Sequence, residues 1–82
     1  MTWTVYLLRC RDGSLYTGIT NDLPKRLARH QQGAASAYTR SRRPVRLVYK
    51  ERQPTRPAAL RREAALKRLP RIEKLALVRH AR

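Results

Sequence analysis

The chain has 82 residues, of which 20 are Lys or Arg and 5 are Asp or Glu, for a net charge of +15. That length allows one domain with a modest core and excludes separate catalytic and binding modules. The charge calls for an anionic partner, nucleic acid first, and the one cysteine, Cys10, excludes an intramolecular disulfide and a thiolate zinc site.

The charge is not confined to a tail. Residues 1–55 carry +8 and residues 56–82 carry +7. Arginine supplies 16 of the 20 basic groups, and its guanidinium fork matches phosphate oxygens. No apolar run approaches the ~18 residues a membrane span needs. The start, Met1-Thr2-Trp3-Thr4, lacks the charged and apolar regions of a signal peptide, which predicts a cytoplasmic protein.

In chain order, Trp3 to Leu8 is rich in strand formers and predicts a first strand, with Cys10 as a buried thiol. Arg11-Asp12-Gly13-Ser14 is a polar, glycine-containing turn. Leu15 to Ile19 completes a hairpin that sets Tyr6 and Tyr16 on neighbouring strands. Gly18 inside the second strand marks a bulge or the close approach of another group. Asn21 or Asp22 can cap a helix, Pro24 fits its first turn and Gly33 ends it. Leu23 and Leu27 give that helix its inward stripe. Arg26 and His30 lie one turn apart beside the stripe.

Residues 33–44 read as a basic, small-residue connection with a short helical turn. Val45 to Glu51 alternates and predicts a third strand. Thr55 can cap a helix from about Pro57 to Leu69, on which Ala59, Leu60 and Leu66 flank Glu63. A final helix begins after Pro70, with Ile72, Leu75 and Ala76 as its stripe. The fold class is α+β, a three-stranded antiparallel sheet flanked by helices, in one domain over 1–82.

Tyrosines, an arginine, a histidine and a single glutamate on so basic a chain suit hydrolysis of a phosphodiester. That reaction needs an activated water and stabilised charge on the phosphate. Several carboxylates would be needed to clamp two metal ions, and Asp12, Asp22, Glu51 and Glu73 all sit in turn, cap or surface positions. One weakly held, hard divalent ion on Glu63 fits better. Each candidate also has a plain structural role. The tyrosines can be packing residues, His30 can favour the helix C-terminus, and Glu63 can pair with Lys67 at i+4.

The ordered set Thr4-Val5-Tyr6, Tyr16-Thr17-Gly18, Arg26, His30 and Glu63 resembles the GIY-YIG endonuclease family, in particular its small bacterial members. The resemblance extends to Tyr38-Thr39-Arg40, to Pro44-Val45-Arg46-Leu47-Val48-Tyr49, and to Lys67, Arg71 and Lys74 after Glu63. It implies catalytic roles for Tyr6, Tyr16, Arg26 and His30, and Mg2+ or Mn2+ at one weak site on Glu63. Nucleic-acid contacts are expected through Arg40, Arg42, Arg43, Lys67, Arg71 and Lys74, and structural roles for Gly18, Tyr38 and Pro44. The chain departs from the family at Thr4, where glycine is common, and at Ile19, where several members carry lysine. It also has no asparagine after Glu63. The function so implied is a metal-dependent DNA endonuclease, structure-selective or weakly specific, in repair or recombination. The alternatives are a non-catalytic DNA- or RNA-binding module and a subunit active only with a protein partner.

Overall fold

The computed structural model describes residues 2–80. Strands β1 (Trp3–Arg9), β2 (Leu15–Thr20) and β3 (Arg46–Gln53) form an antiparallel sheet in the order β2-β1-β3. Helices α1 (Leu23–Gln32), α2 (Ala37–Arg40), α3 (Arg56–Arg68) and α4 (Arg71–His80) flank it. The architecture is the predicted α+β one, with element ends shifted by one or two residues.

The first strand explains the layering. Val5, Tyr6, Leu7 and Leu8 are all buried, and side chains alternate across a strand. Four consecutive buried residues therefore need cover on both faces, which a central strand with helices on each side provides. On one face Tyr6, Leu8, Cys10 and Val45 pack with Tyr16, Leu23 and Leu27. On the other, Val5, Ala59 and Leu66 pack with Trp3, Ile19, Tyr49 and Leu77. Thus α1 covers the first face, and α3 and α4 cover the second. Arg62 of α3 donates to Glu51 of β3 at 2.7 Å, which fixes the second layer to the sheet.

Local signals set the element ends. In the hairpin turn Asp12 Oδ1 accepts from the Ser14 amide and hydroxyl at 3.0 and 2.6 Å, and Gly13 takes φ 86°. Asp22 caps α1 by accepting from the Lys25 amide, and Gly33 ends it in the left-handed region at φ 78°. Ser36 caps α2 and Thr55 caps α3. Gln31 then ties the end of α1 to the approach to β3, donating to the Val45 carbonyl at 2.6 Å.

Two apolar expectations need correction. Ile72, read as part of an inward stripe, is 72% exposed, and Leu60, read as flanking Glu63 on a semi-apolar side, is 39% exposed. Leu75 and Ala76 are half-buried as expected, and Leu77 is the α4 residue that reaches the second core. The α4 sequence offers two overlapping apolar faces, and packing selects the one that avoids Ile72. A bulge in β3 opposite Leu7 and Leu8 leaves Val48 unpaired between Leu47 and Tyr49.

Candidate active site

Tyr6 stands on the central strand directly opposite Gly18 of β2. Its ring lies across that position. A Cβ on Gly18 would come within 2.5 Å of the Tyr6 hydroxyl and 2.6 Å of its Cζ. The glycine predicted to permit a close approach is therefore approached by the tyrosine itself. Two pairs further along, Tyr16 faces Leu8 on the same side of the sheet.

From the opposing helix α1, His30 inserts between these tyrosines. It is 1% exposed, as is Tyr6. Tyr6 Oη and His30 Nε2 are hydrogen-bonded at 2.9 Å, and the two rings meet edge to face. The Tyr16 ring also meets the imidazole edge to face, with centroids 5.3 Å apart. The other ring nitrogen, Nδ1, is hydrogen-bonded to Thr39 Oγ1 at 2.8 Å. Thr39 is fully buried, and its hydroxyl lies 2.9 Å from that of Ser36. A chain of polar groups thus runs from β1 through α1 to α2, and no buried side-chain nitrogen or oxygen among the described residues lacks a partner. Burying polar groups is tolerable on that condition.

The electrostatics keep this buried pair neutral. Burial pushes the Tyr6 phenol well above its ordinary range, and the neighbouring Tyr16 and Glu63 add to the shift while Arg26 opposes it. Burial likewise pushes the His30 imidazole down, and the Arg26 charge pushes it further. Arg26, from α1, is therefore close enough to act on both groups, and Glu63, from α3, on the Tyr6 phenol. Arg26 is half-buried and lines an open cleft of about 380 Å³ with Lys25, Arg29, Thr20 and Asp22.

Glu63 has a side chain only 19% exposed, and among the described residues its one ion-pair partner is Lys67 at 3.6 Å. That distance is long for a charge-assisted hydrogen bond, so the carboxylate keeps accepting capacity. Among the described residues no group of three or more His, Cys, Asp or Glu side chains could hold a metal. A largely covered carboxylate is an oxygen donor of the kind a hard divalent ion takes, and Glu63 would be the residue to hold one.

Tyr38 stacks on Tyr16 with centroids 5.8 Å apart. The Arg42 guanidinium sits 3.9 Å from the Tyr38 ring centre. It also donates to Asp12 at 3.1 Å and to the Tyr38 carbonyl at 2.9 Å. Arg43 donates to the carbonyls of Arg40 and Gln31. Of the six basic residues predicted to contact nucleic acid, these two have guanidinium groups engaged by the protein itself, and Lys67 pairs with Glu63. Arg40 and Arg71 are exposed, Arg71 beside the Gly13 turn, and Lys74 is half-buried. Pro44 follows a cis peptide bond at the entry to β3. Sequence reasoning missed Thr39 and Ser36 as support for His30, and Lys25 and Arg29 as neighbours of Arg26. The Ser36-x-x-Thr39 spacing, a cap followed by a second hydroxyl, was the available signal.

The arrangement brings Tyr6, Tyr16, Arg26, His30 and Glu63 into one region from β1, β2, α1 and α3. Comparisons with known proteins bear on the family and the fold. The family model described as the GIY-YIG catalytic domain matches residues 2–75. A UPF0213 protein of Streptococcus sanguinis is 49% identical over 75 residues, spanning 92% of this chain and 86% of that protein. A UPF0213 protein of Xanthomonas axonopodis pv. citri is 51% identical over 74 residues, spanning 90% of this chain and 72% of that protein. The solution NMR structure of a UPF0213 protein from Bacillus halodurans matches with a TM-score of 0.61 at 44% identity, over 95% of this chain and 83% of that one. A solution NMR structure from E. faecalis matches with a TM-score of 0.63 at 38% identity, over 90% of this chain and 79% of that one. Sequence, fold and the convergence of the motif side chains lead to one conclusion: the chain belongs to the GIY-YIG family, a nuclease-type family.

Proposed function

We propose that this protein is a metal-dependent endonuclease that hydrolyses phosphodiesters in DNA, structure-selective or weakly specific, and acts in cytoplasmic repair or recombination. The observation that carries this reading is the buried Tyr6–His30 hydrogen bond, whose tyrosine lies in the fields of both Arg26 and Glu63. A domain that only bound phosphates would have no use for a buried, neutral tyrosine–histidine pair beside a covered carboxylate.

In this reading Arg26 holds the non-bridging oxygens of the scissile phosphate and offsets the charge that builds there. Tyr16, half-buried and open to the site, hydrogen-bonds the attacking water. The water's proton passes to Tyr6 Oη as Tyr6 gives its own proton to His30 Nε2. His30 accepts there because Nδ1–H is donated to Thr39, which fixes the tautomer. Glu63 would hold a single Mg2+ or Mn2+, which when bound supplies Lewis-acid stabilisation of the phosphate oxygens. The exposed Arg40 and Arg71, with Lys74, contact flanking phosphates.

The test is a panel of labelled DNA and RNA substrates, including flaps, branches and single strands, incubated with Mg2+, Mn2+ or chelator. Cleavage that needs metal and disappears in Glu63→Gln is the expected result. Binding without cleavage under every condition would favour the second reading, a nucleic-acid-binding module or a subunit completed by a protein partner. The Lys67–Glu63 pair favours that second reading, because it gives the carboxylate a partner without metal.

A further inference from the structure

The five acidic residues all stand away from one strongly basic cleft. Asp12 holds Arg42, Asp22 caps α1, Glu51 holds Arg62 and Glu63 pairs with Lys67. Glu73 is exposed in the first turn of α4. Where β1 ends, β3 begins and α4 closes over the sheet, a cleft of about 550 Å³ is lined by Arg9, Arg46 and Arg79 around Val48, Leu75 and Val78. None of these arginines has an acidic partner among the described residues.

Two of the three are directly paired across the sheet, Arg9 opposite Arg46. Like charges at opposed positions on adjacent strands are destabilising. No carboxylate among the described residues relieves the repulsion, and an anion from outside would supply the counter-charge. Three guanidinium groups from three elements suit phosphate oxygens. The aliphatic floor, widened by the bulged Val48, gives a sugar ring an apolar surface. Along β1, Arg9 has the same parity as Val5 and Leu7, which places it on the α3–α4 side of the sheet. Tyr6, His30 and Tyr16 lie on the α1–α2 side.

We propose that Arg9, Arg46 and Arg79 form a second phosphate-binding cleft, behind the sheet from the tyrosine–histidine pair, that holds the backbone of a separate nucleic-acid segment. The proposal rests on the nucleic-acid reading above and adds a second point of grip. A domain so equipped holds two segments of one branched substrate, one on each side of the sheet.

The experiment compares three proteins by fluorescence anisotropy on a labelled branched DNA across a salt series. They are the wild type, the triple variant Arg9→Gln/Arg46→Gln/Arg79→Gln, and a charge-matched control, Arg11→Gln/Arg61→Gln/Arg68→Gln, at exposed sites outside the cleft. Glutamine keeps most of the stem, and removing opposed charges leaves the melting temperature equal or higher. The cleft variant should lose roughly tenfold or more in affinity, with a log–log salt slope smaller by about two to three. The control should change much less. Equal losses in the two variants overturn the cleft while leaving nucleic-acid binding intact. If the wild type binds no DNA or RNA even at low salt, both readings fail. A rise in melting temperature with inorganic phosphate that the triple variant alone lacks would then reassign the cleft to a free phosphate and overturn the nucleic-acid form. None of these readouts depends on cleavage.

Discussion

The two faces of the sheet are built from different materials. The α3–α4 face buries aliphatic groups, Val5, Ala59 and Leu66 among them. The α1–α2 face buries a tyrosine, a histidine and a threonine joined by hydrogen bonds. Both faces bury part of the core, but they gain stability differently. Apolar burial contributes about 25 cal/mol per Å² regardless of direction. A buried polar chain contributes little net stability and carries a large penalty if one partner is lost. Both faces hold the fold through apolar residues, and the α1–α2 face in addition holds polar side chains in fixed directions. Glu63, which projects from the aliphatic layer, is where the two meet.

The largest expected effect is on the polar face and concerns rate alone. Tyr16→Phe, Arg26→Ala and Glu63→Gln should each lower cleavage by about 100-fold or more, the size typical of losing a positioned catalytic group. The melting temperature should barely move. A fully active Tyr16→Phe protein would reduce that residue to a packing role. Nucleic-acid affinity should be kept or raised in Glu63→Gln, because a negative charge is removed, and Arg26→Ala should lower the salt slope by about one.

Next in size is a stability effect on the opposite face. Leu66 is completely buried, and Leu66→Ala should cost about 2–5 kcal/mol in chemical denaturation. Cleavage per folded molecule should change only a few-fold. A loss of rate matching that of the motif variants would show that the two faces are not separable in the way described.

Thr39→Val sharpens the comparison, because it is nearly isosteric and removes one hydroxyl. It leaves His30 Nδ1 without its partner and should cost about 1–3 kcal/mol. Unlike Leu66→Ala, it should also shift the imidazole nitrogen resonances in NMR and slow cleavage, since the tautomer is no longer fixed. Unchanged imidazole shifts would mean that Thr39 merely fills space.

The smallest effect is a pH dependence. In the unfolded chain His30 protonates near 6.5, whereas burial and Arg26 hold its folded value lower. Between those two values the unfolded chain binds more protons, so stability is full above about 6.5 and falls as pH drops toward the folded value. The Asp12 carboxyl, held low chiefly by Ser14, contributes in full above its ordinary 3.8 and loses that contribution only below it, so it does not enter this window. Melting temperature should thus decline on acidification from neutral pH, and His30→Gln should flatten the decline. Equal slopes in the two proteins would assign it elsewhere.

Much of this was legible in the sequence for identifiable reasons. Asp22, Gly33 and Thr55 punctuate their helices through local hydrogen bonds and backbone preference, and such effects do not depend on distant residues. The hairpin and the positions of Tyr6 and Tyr16 followed from alternation and a turn. Ile72 was misread because residues 72 to 78 carry two overlapping apolar faces, and only contact with β3 chooses between them. The Tyr6–His30–Thr39 chain was hidden for another reason. Its bonds span 24 and 9 positions, and nothing local favours them. Likewise, no pattern near Arg42 announces that Asp12, 30 positions earlier, engages its guanidinium.

The contact between Tyr6 and Gly18 has a consequence for how such a chain can change over generations. The phenol occupies the volume that any side chain at position 18 would need. Neither position can therefore drift alone without loss. A larger residue at 18 is admissible only after the aromatic has shrunk or turned, and that aromatic is hydrogen-bonded to His30. Substitution at 18 after removal of the Tyr6 ring should thus be nearly free, while the same substitution before it is costly. Order of mutation, rather than the mutations themselves, decides whether an ancestor of this chain survives the exchange, and a double-mutant cycle on the two positions would measure that dependence directly.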